Sequence, residues 1–224
     1  MPEMLMTIPP PIAFLGGTGP QGRGLARRFA AAGLPVVIGS RRPDAAVETA
    51  ADLQAEVGGR IAGGANRDAA AAAEVVVVAV PWTGHADLLI ELREELEGKI
   101  VIDCVNPLGF DKAGPYALPV LEGSAAEQAQ ALLPESRVVG AFHHLSATLL
   151  EDPTVDSLDT DVLVVGDSAE AVEEVMELAA VLPGVRGIFA GRLRNAHQVE
   201  ALTANLIAMN RRYKVHAGVR ITDI

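Results

Sequence analysis

The feature that most constrains the fold is a glycine-rich loop near the start of the chain, which matches the pattern G-x-G-x-x-G. It follows an apolar run, Ile12–Leu15, that predicts a strand, and it opens a helical pattern, Gly22–Ala32, with Gly33 just beyond. In such loops the glycines permit a tight turn, close approach of a diphosphate, and close packing of helix on strand. The loop therefore predicts a dinucleotide whose diphosphate lies at the helix N-terminus. Its residues are Gly17, Thr18, Gly19, Pro20, Gln21 and Gly22.

The end of the second predicted strand, Val36–Gly39, carries basic residues where an NAD site carries an acid. Ser40, Arg41 and Arg42 follow this strand. A carboxylate here would accept hydrogen bonds from a ribose 2′-hydroxyl, whereas a guanidinium pairs with a 2′-phosphate. Thr18, inside the glycine loop, is also expected to reach this phosphate. The stretch predicts a preference for NADP(H) over NAD(H).

The rest of the N-terminal part alternates strands with helices. Continuous apolar strands of this kind are typical of a parallel sheet covered on both faces. The pattern predicts an α/β fold, a Rossmann-like doubly wound and mostly parallel sheet with a small C-terminal helical domain. Further predicted strands are Val75–Val80, Ile100–Asp103 and Val138–Ala141, with a short one near Ile61, and further predicted helices are Pro43–Val57, Ala86–Leu96 and one opened by the Ser124–Glu127 capping box.

The pattern changes after about residue 150. We expect an NADP-binding domain over 1–150 and a smaller domain over 151–224, which helps to form a second ligand cleft and a dimer interface. A predicted strand at Val162–Val165 is followed by a helix that Asp167 or Ser168 opens and that ends at about Val181. A strand at Gly187–Ala190 then precedes a long helix, Asn195–His216. That helix carries an apolar seam that either packs on the chain's own core or forms a subunit interface. The seam residues are Val199, Leu202, Leu206, Met209 and Tyr213.

Composition narrows the functional classes. A net charge of −11 argues against general nucleic-acid binding, although both ends of the chain are basic. Half of the residues are apolar, yet no run predicts a membrane span. The start, MPEMLMTIPPP, does not resemble a signal peptide, and Cys104 is the single cysteine, so we expect a cytoplasmic protein.

The inventory of acid–base groups is small. Five histidines are present, no spacing predicts a metal site, and no G-x-S-x-G motif occurs. Tyr116 and Tyr213 are followed four residues later by Val120 and Ala217, so the Tyr-x-x-x-Lys pair of short-chain dehydrogenases is missing.

Four segments together resemble one family. GGTGPQGRGLARRFAAAG, VVIGSRRP, VVVAVPWTGHADLL and GAFHHLSA are similar to the NADPH-dependent reductases of the deazaflavin coenzyme F420, and the likeness covers nearly the whole chain. The resemblance implies hydride transfer between C4 of the nicotinamide and C5 of the deazaflavin. Both reacting groups belong to cofactors, so neither a nucleophile nor a metal is required. The implied cofactors are NADP(H) and coenzyme F420.

Roles follow for residues at the ends of later strands. Val80, Pro81 and Trp82 are expected to wall the nicotinamide ribose, with His85 and Asn106 as further cofactor contacts. His143 is the expected donor to the deazaflavin ring, where negative charge accumulates as hydride arrives. Each of these residues also has an ordinary structural interpretation, such as packing for Trp82 or a turn for Asn106.

Two alternatives remain open. The same fold could serve an NADP-dependent reductase of a small imine or carbonyl, with His143 as proton donor, or a non-catalytic NADP-sensing protein.

The C-terminal basic block could line the path of the phosphate and glutamate tail of F420, and the apolar seam favours a homodimer. The basic residues are Arg186, Arg192, Arg194, Arg211, Arg212, Lys214 and Arg220.

Overall fold

A computed structural model describes residues 10–224, so most of the N-terminal stretch considered above lies outside the described residues. Ten strands occur in this range. They are β1 (Ile12–Leu15), β2 (Val36–Ser40), β3 (Ile61–Ala65), β4 (Val75–Val78), β5 (Ile100–Asp103), β6 (Leu108–Asp111), β7 (Gly114–Ala117), β8 (Arg137–Gly140), β9 (Thr160–Gly166) and β10 (Val185–Gly191).

Eight of these strands form one sheet, in the order β10-β9-β8-β5-β4-β1-β2-β3. Every neighbouring pair is parallel except β8 and β9, which are antiparallel. The chain builds β1 to β3 outward in one direction and then returns to place β4 on the other side of β1. The carboxyl ends of β1 and β4 therefore flank the topological switch point, where ligands bind in open α/β sheets.

Helices cover both faces of the sheet, as the apolar strands require. Side chains alternate along β1, so that Phe14 joins one core cluster and Leu15 the other, and both are fully buried. The helices are α1 (Pro20–Ala31), α2 (Pro43–Val57), α3 (Asn66–Ala71), α4 (His85–Glu91), α5 (Arg93–Leu96), α6 (Ala125–Leu132), α7 (Ala147–Glu151), α8 (Ala169–Ala180) and α9 (Ala196–Tyr213).

The observed helix ends follow local chemistry. Helix α1 begins at Pro20, two residues earlier than the pattern indicates, because proline is well suited to the first helical turn. It ends before Gly33, whose φ is +90°. The Ser124 side chain accepts a hydrogen bond from the Glu127 amide and caps α6, as the capping box predicts. The single helix predicted over Ala86–Leu96 is two, α4 and α5, separated at Leu92.

Other elements differ from the sequence expectation. Strand β4 ends at Val78 rather than Val80, because the chain leaves the sheet toward Pro81, which has no amide hydrogen to donate. The β6–β7 hairpin was not expected, since its Gly- and Pro-containing strands lack an apolar alternation. Strands β9 and β10 extend the same sheet, which is therefore continuous across position 150.

The C-terminal helix divides its seam between two environments. Val199 and Leu206 are buried in the core, whereas Met209 and Tyr213 are 44% and 70% exposed. The first part of the seam thus packs on the chain's own core, and the second part faces outward. Within residues 10–224 no helix combines the length and the apolar character needed to cross a membrane.

Candidate active site

A cleft runs along the carboxyl edge of the sheet at the switch point and consists of two adjoining cavities. The first cavity, of about 760 Å³, lies between the glycine loop, residues 40–42 and the start of α4. The second, of about 400 Å³, lies between the ends of β4, β5 and β8 and helix α9. Ala79, Val80 and Pro81 line both cavities, so one elongated ligand can extend from the first into the second.

The glycine loop is as tight as a dinucleotide loop must be. Gly16 has φ +75°, and a Cβ atom on it would lie 2.7 Å from the carbonyl oxygen of Ala79. A Cβ on Gly22 would lie 2.8 Å from the carbonyl oxygen of Gly16. Side chains are therefore excluded where the loop folds against β4 and where α1 begins. Gly19 lines the first cavity and has more room, since its nearest neighbour would be 3.4 Å away.

Two hydroxyl groups meet beside the arginines at the end of β2. Thr18 Oγ1 lies 3.5 Å from Ser40 Oγ, and the Arg42 amide donates to Ser40 Oγ at 3.2 Å. Arg41 and Arg42 are exposed and line the first cavity, and neither guanidinium forms an ion pair with another residue of 10–224. A site with two hydroxyls and two free guanidiniums suits a phosphate monoester rather than a ribose hydroxyl.

The turn after β8 forms one wall of the second cavity and has an unusual backbone. Phe142 adopts φ +62°, a left-handed conformation that costs free energy for a residue with a side chain. Three side chains from separate elements hold this turn. Gln21 Nε2 donates to the Phe142 carbonyl at 3.1 Å, and Asn106 Nδ2 and Thr203 Oγ1 donate to the His143 carbonyl at 2.8 and 3.1 Å.

His143 itself is buried in this wall with both ring nitrogens lacking a partner among residues 10–224. Burial lowers the pKa of His143 to about 4, with Asp103 opposing the change and His144 adding to it. The ring is therefore neutral near pH 7 and offers one N–H donor and one acceptor.

Two further polar atoms, in residues that line the second cavity, share this condition. His144 Nε2 bonds to the Asp161 carbonyl at 2.6 Å, which leaves His144 Nδ1 without a partner, and Asn106 Oδ1 also has none among the described residues. Burial also lowers the pKa of His144. Buried polar groups normally find partners, so these unpaired atoms are unusual and stand beside a cavity that can hold a ligand.

His85 lies apart from the cleft. The sequence suggested a cofactor contact, but its ring points from the start of α4 toward the sheet and lines neither cavity. His85 Nε2 is 2.5 Å from Asp103 Oδ2, both side chains are fully buried, and Nδ1 is 3.1 Å from Gln128 Oε1. Burial lowers the pKa of His85, but the charge and hydrogen bond of Asp103 outweigh it, so the net direction is upward. The pair anchors α4 to β5 behind the cleft.

Glu200 of α9 completes this buried group. Its carboxylate accepts hydrogen bonds from the Ala125 and Ala126 amides, at 3.0 and 3.1 Å, and so caps the N-terminus of α6. Burial raises the pKa of Glu200 to about 7, against the effect of these two amides.

The predicted binding residues fall into four groups. Those that line the first cavity are Thr18, Gly19, Ser40, Arg41, Arg42, Val80 and Pro81. Those that line the second are Gln21, Val80, Pro81, Trp82, Asn106 and His143. Gly17, Pro20 and Gly22 line neither cavity but shape the glycine loop. His85 is buried behind the cleft. Sequence reasoning missed Thr203 and Asn210 of α9, whose only signal was their position between seam residues, and Asn66, which follows β3.

The basic block at the C-terminus is partly engaged in the fold. Arg186 and Arg220 both pair with Asp161, at 2.7 and 2.6 Å, and Asp161 is fully buried. These two arginines are therefore not free to bind the tail of a ligand. The other members of this block are exposed and form no ion pair with a described residue; they are Arg192, Arg194, Arg211, Arg212 and Lys214.

The fold and the cleft together define a Rossmann-type dinucleotide-binding protein with a second cavity adjoining the first. The family model for NADP oxidoreductase, coenzyme F420-dependent, matches residues 11–107. An F420-dependent NADP reductase of Methanothermobacter thermautotrophicus is 41% identical over 222 residues, which cover 95% of each chain. Another, of Methanocaldococcus jannaschii, is 39% identical over 222 residues, covering 95% of this chain and 98% of that protein. The chain therefore belongs to the F420-dependent NADP reductase family.

A solved structure agrees in shape. A protein of Arthrobacter sp. FB24, provisionally assigned as an F420-dependent NADP reductase, superposes with a TM-score of 0.81 at 32% sequence identity. The match covers 96% of this chain and all of that one.

Proposed function

We propose that the protein transfers a hydride directly between C4 of NADP(H) and C5 of the deazaflavin ring of coenzyme F420. The observation that carries the proposal is the joining of the two cavities along Ala79–Pro81. The first has the chemistry of a 2′-phosphate site, and the residues that line the second carry buried polar atoms with no partner among residues 10–224. The relatives described above are named for the same two cofactors.

The cofactor substrates supply the reacting carbon atoms, and the chain's own residues position them. Ser40, Arg41 and Arg42 hold the 2′-phosphate, and the glycine loop admits the diphosphate. Trp82 and the Val80–Pro81 backbone wall the region where the cavities meet. Two stacked rings whose reacting carbons are about 3–3.5 Å apart need no protein atom to carry the electrons.

His143 stabilises the charge that develops during the reaction. Its neutral ring donates one N–H toward the deazaflavin, where negative charge accumulates as hydride arrives. The tight turn at Phe142, held by Gln21, Asn106 and Thr203, fixes the ring's position. Cys104 also lines the second cavity, but burial raises the pKa of its thiol, so it is a poor nucleophile.

The C-terminal part, 151–224, forms the far wall of the F420 cleft. Helix α9 and the segment after it contribute Thr203, Leu206, Ile207, Asn210 and Ala217 to the second cavity.

We also propose a homodimer formed through the outward half of α9, on the support of the exposed Met209 and Tyr213. Light scattering should give twice the chain mass, and Met209→Glu with Tyr213→Glu should halve it. A cytoplasmic location remains an expectation from the sequence.

The decisive test mixes the pure protein, NADPH and oxidised F420, and follows the deazaflavin absorbance. Loss of that absorbance, with equal consumption of NADPH at catalytic protein concentrations, supports the proposal. Consumption of NADPH only with a cyclic imine or a carbonyl compound would instead identify a small-molecule reductase. Binding of NADPH without turnover of any acceptor would identify a sensor.

A further inference from the structure

Asn66 is a polar residue of the first cavity for which neither the fold nor the glycine motif provides a role. It is the first residue of α3 and is only 7% exposed, yet it lines the cavity beside Ser40 and Arg41. Its Oδ1 atom is buried with no hydrogen-bond partner among residues 10–224. A buried amide with an unsatisfied atom at the edge of a cavity indicates a ligand contact or a fixed orientation.

The neighbouring backbone accounts for the orientation. A Cβ atom on Gly39 would lie 2.9 Å from Asn66 Oδ1, so glycine at this position makes the space that the amide occupies. The oxygen faces the Gly39 Cα hydrogens, an arrangement that favours oxygen over nitrogen there. The amide nitrogen is consequently the polar atom of Asn66 that is available to the cavity.

The sheet register and the charges place this nitrogen beside the phosphate-binding residues. Ser40 pairs with Ala65, so Asn66 stands next to the Ser40–Arg41 step. Asp87 and Glu91 line the same cavity from α4 and repel anions, which confines a phosphate to the wall that carries Arg41. The donor of Asn66 lies on that wall.

We propose that Asn66 is a specificity-determining residue that donates its amide N–H to the 2′-phosphate of NADP(H). The proposal deepens the function proposed above and rests on it. An uncharged donor suits this place because a carboxylate would repel the 2′-phosphate and would accept from the 2′-hydroxyl of NAD(H) instead. Asparagine therefore acts together with the arginines as a filter against the unphosphorylated dinucleotide.

The test compares two small probes, adenosine 2′,5′-bisphosphate and AMP, by isothermal titration calorimetry. Asn66→Ala should weaken binding of the bisphosphate about tenfold or more, as expected for loss of a hydrogen bond to a charged group, and should leave AMP within about twofold. Asn66→Asp should weaken the bisphosphate further and lower the NADPH-to-NADH preference. Asp68→Asn, an exposed charge change on the same helix, should change neither.

The outcomes separate this inference from the proposed function. Equal losses for both probes would show that Asn66 contacts the adenine or the 5′-phosphate, and unchanged affinities would show no contact; either overturns the inference. A wild-type protein that binds both probes equally would overturn the NADP(H) preference itself. Asn66→Ser keeps a small donor and should retain more discrimination than Asn66→Ala, so the comparison remains decisive if the alanine variant is unstable.

Discussion

At the scale of single residues, we expect the charge at the end of β2 to decide which nucleotide the cleft accepts. Arg41→Glu should lower kcat/KM for NADPH by roughly 10- to 100-fold, because hydrogen bonds to charged groups contribute about 1.5–3 kcal/mol. The value for NADH should be far less affected, since a carboxylate can accept from its 2′-hydroxyl. Steady-state kinetics with both nucleotides measure the ratio. Arg60→Glu makes the same charge change at an exposed position outside both cavities and should leave the ratio unchanged.

His143 makes a second residue-scale prediction, which concerns pH. Its folded-state pKa of about 4 lies below the unfolded value, so the unfolded chain binds this proton first as pH falls. The residue therefore destabilises the fold progressively between about pH 6.5 and pH 4. His143→Gln should remove that component of the acid destabilisation, as measured by denaturant unfolding at pH 7 and pH 4.5.

The same variant tests the role in hydride transfer. His143→Gln should lower the single-turnover rate of F420 reduction roughly tenfold or more, with the Kd for NADPH unchanged. In the wild type the rate should show no histidine titration between pH 5.5 and pH 8, because the ring is already neutral. A rate that rises as a group with pKa near 6.5 becomes protonated would contradict the assignment of His143 as a neutral donor.

At the scale of elements, sequence patterns predicted those helix and strand bounds that depend on neighbouring residues in the sequence. The bounds of β1 and α2, and the capping of α6 by Ser124, agree with the prediction because an apolar run, a proline start and a capping box act locally. The β6–β7 hairpin and the shared sheet position of β9 and β10 depend on contacts between distant residues. No local periodicity encodes them.

The candidate site shows the same division. The place of Arg41 and Asn106 beside the cavities could be predicted, because both follow strand ends and parallel strands present their carboxyl ends at one edge. Thr203 reaches the His143 carbonyl only because α9 crosses that edge. His85 lines neither cavity and contacts Asp103 instead, a partner 18 positions away that no local pattern indicates.

Glu200 supplies the element-scale prediction, since its carboxylate joins α9 to the N-terminus of α6. Its pKa is raised to about 7, so the folded protein holds a proton that the unfolded chain releases near pH 4.5. Stability from this group is therefore lost as pH rises from about 4.5 to 7, by up to about 3 kcal/mol at 1.36 kcal/mol per unit.

Glu200→Gln removes this titration. The variant should be close in stability to the wild type at pH 5, because the amide resembles the protonated carboxyl group, and it should be relatively more stable at pH 8, where the wild type holds a buried charge. Urea unfolding at both values measures the change. Glu177→Gln, on the exposed surface of α8, serves as the control and should show no comparable pH-dependent difference.

At the scale of the whole molecule, the C-terminal segment links the edge of the sheet to the second cavity. After α9 the chain returns across β9, where the Asp161 amide donates to the Val219 carbonyl at 2.6 Å and Asp161 Oδ2 accepts from the Ile221 amide at 2.7 Å. Ala217, between the helix and this attachment, lines the second cavity. The far wall of the cleft therefore depends on an attachment at the opposite end of the sheet from the nucleotide-binding strands.

Asp161 is the centre of that attachment, and its removal should affect the second cavity and leave the first largely unchanged. Hydrogen bonds from Arg186, followed by those from the Ile221 amide and Arg220, hold the pKa of Asp161 well below its usual range despite burial, so its contribution is present above about pH 4 and is lost only in stronger acid. Asp161→Asn should lower the free energy of unfolding by about 3 kcal/mol. It should also raise KM for F420 while KM for NADPH changes little, because the first cavity has no contact with this segment.

Asp159→Asn is the matched control: Asp159 pairs with the same Arg220 but is 92% exposed, so its loss should cost at most about 1 kcal/mol. An equal rise in both KM values for Asp161→Asn would mean that the C-terminal segment stabilises the whole sheet rather than the F420 wall alone.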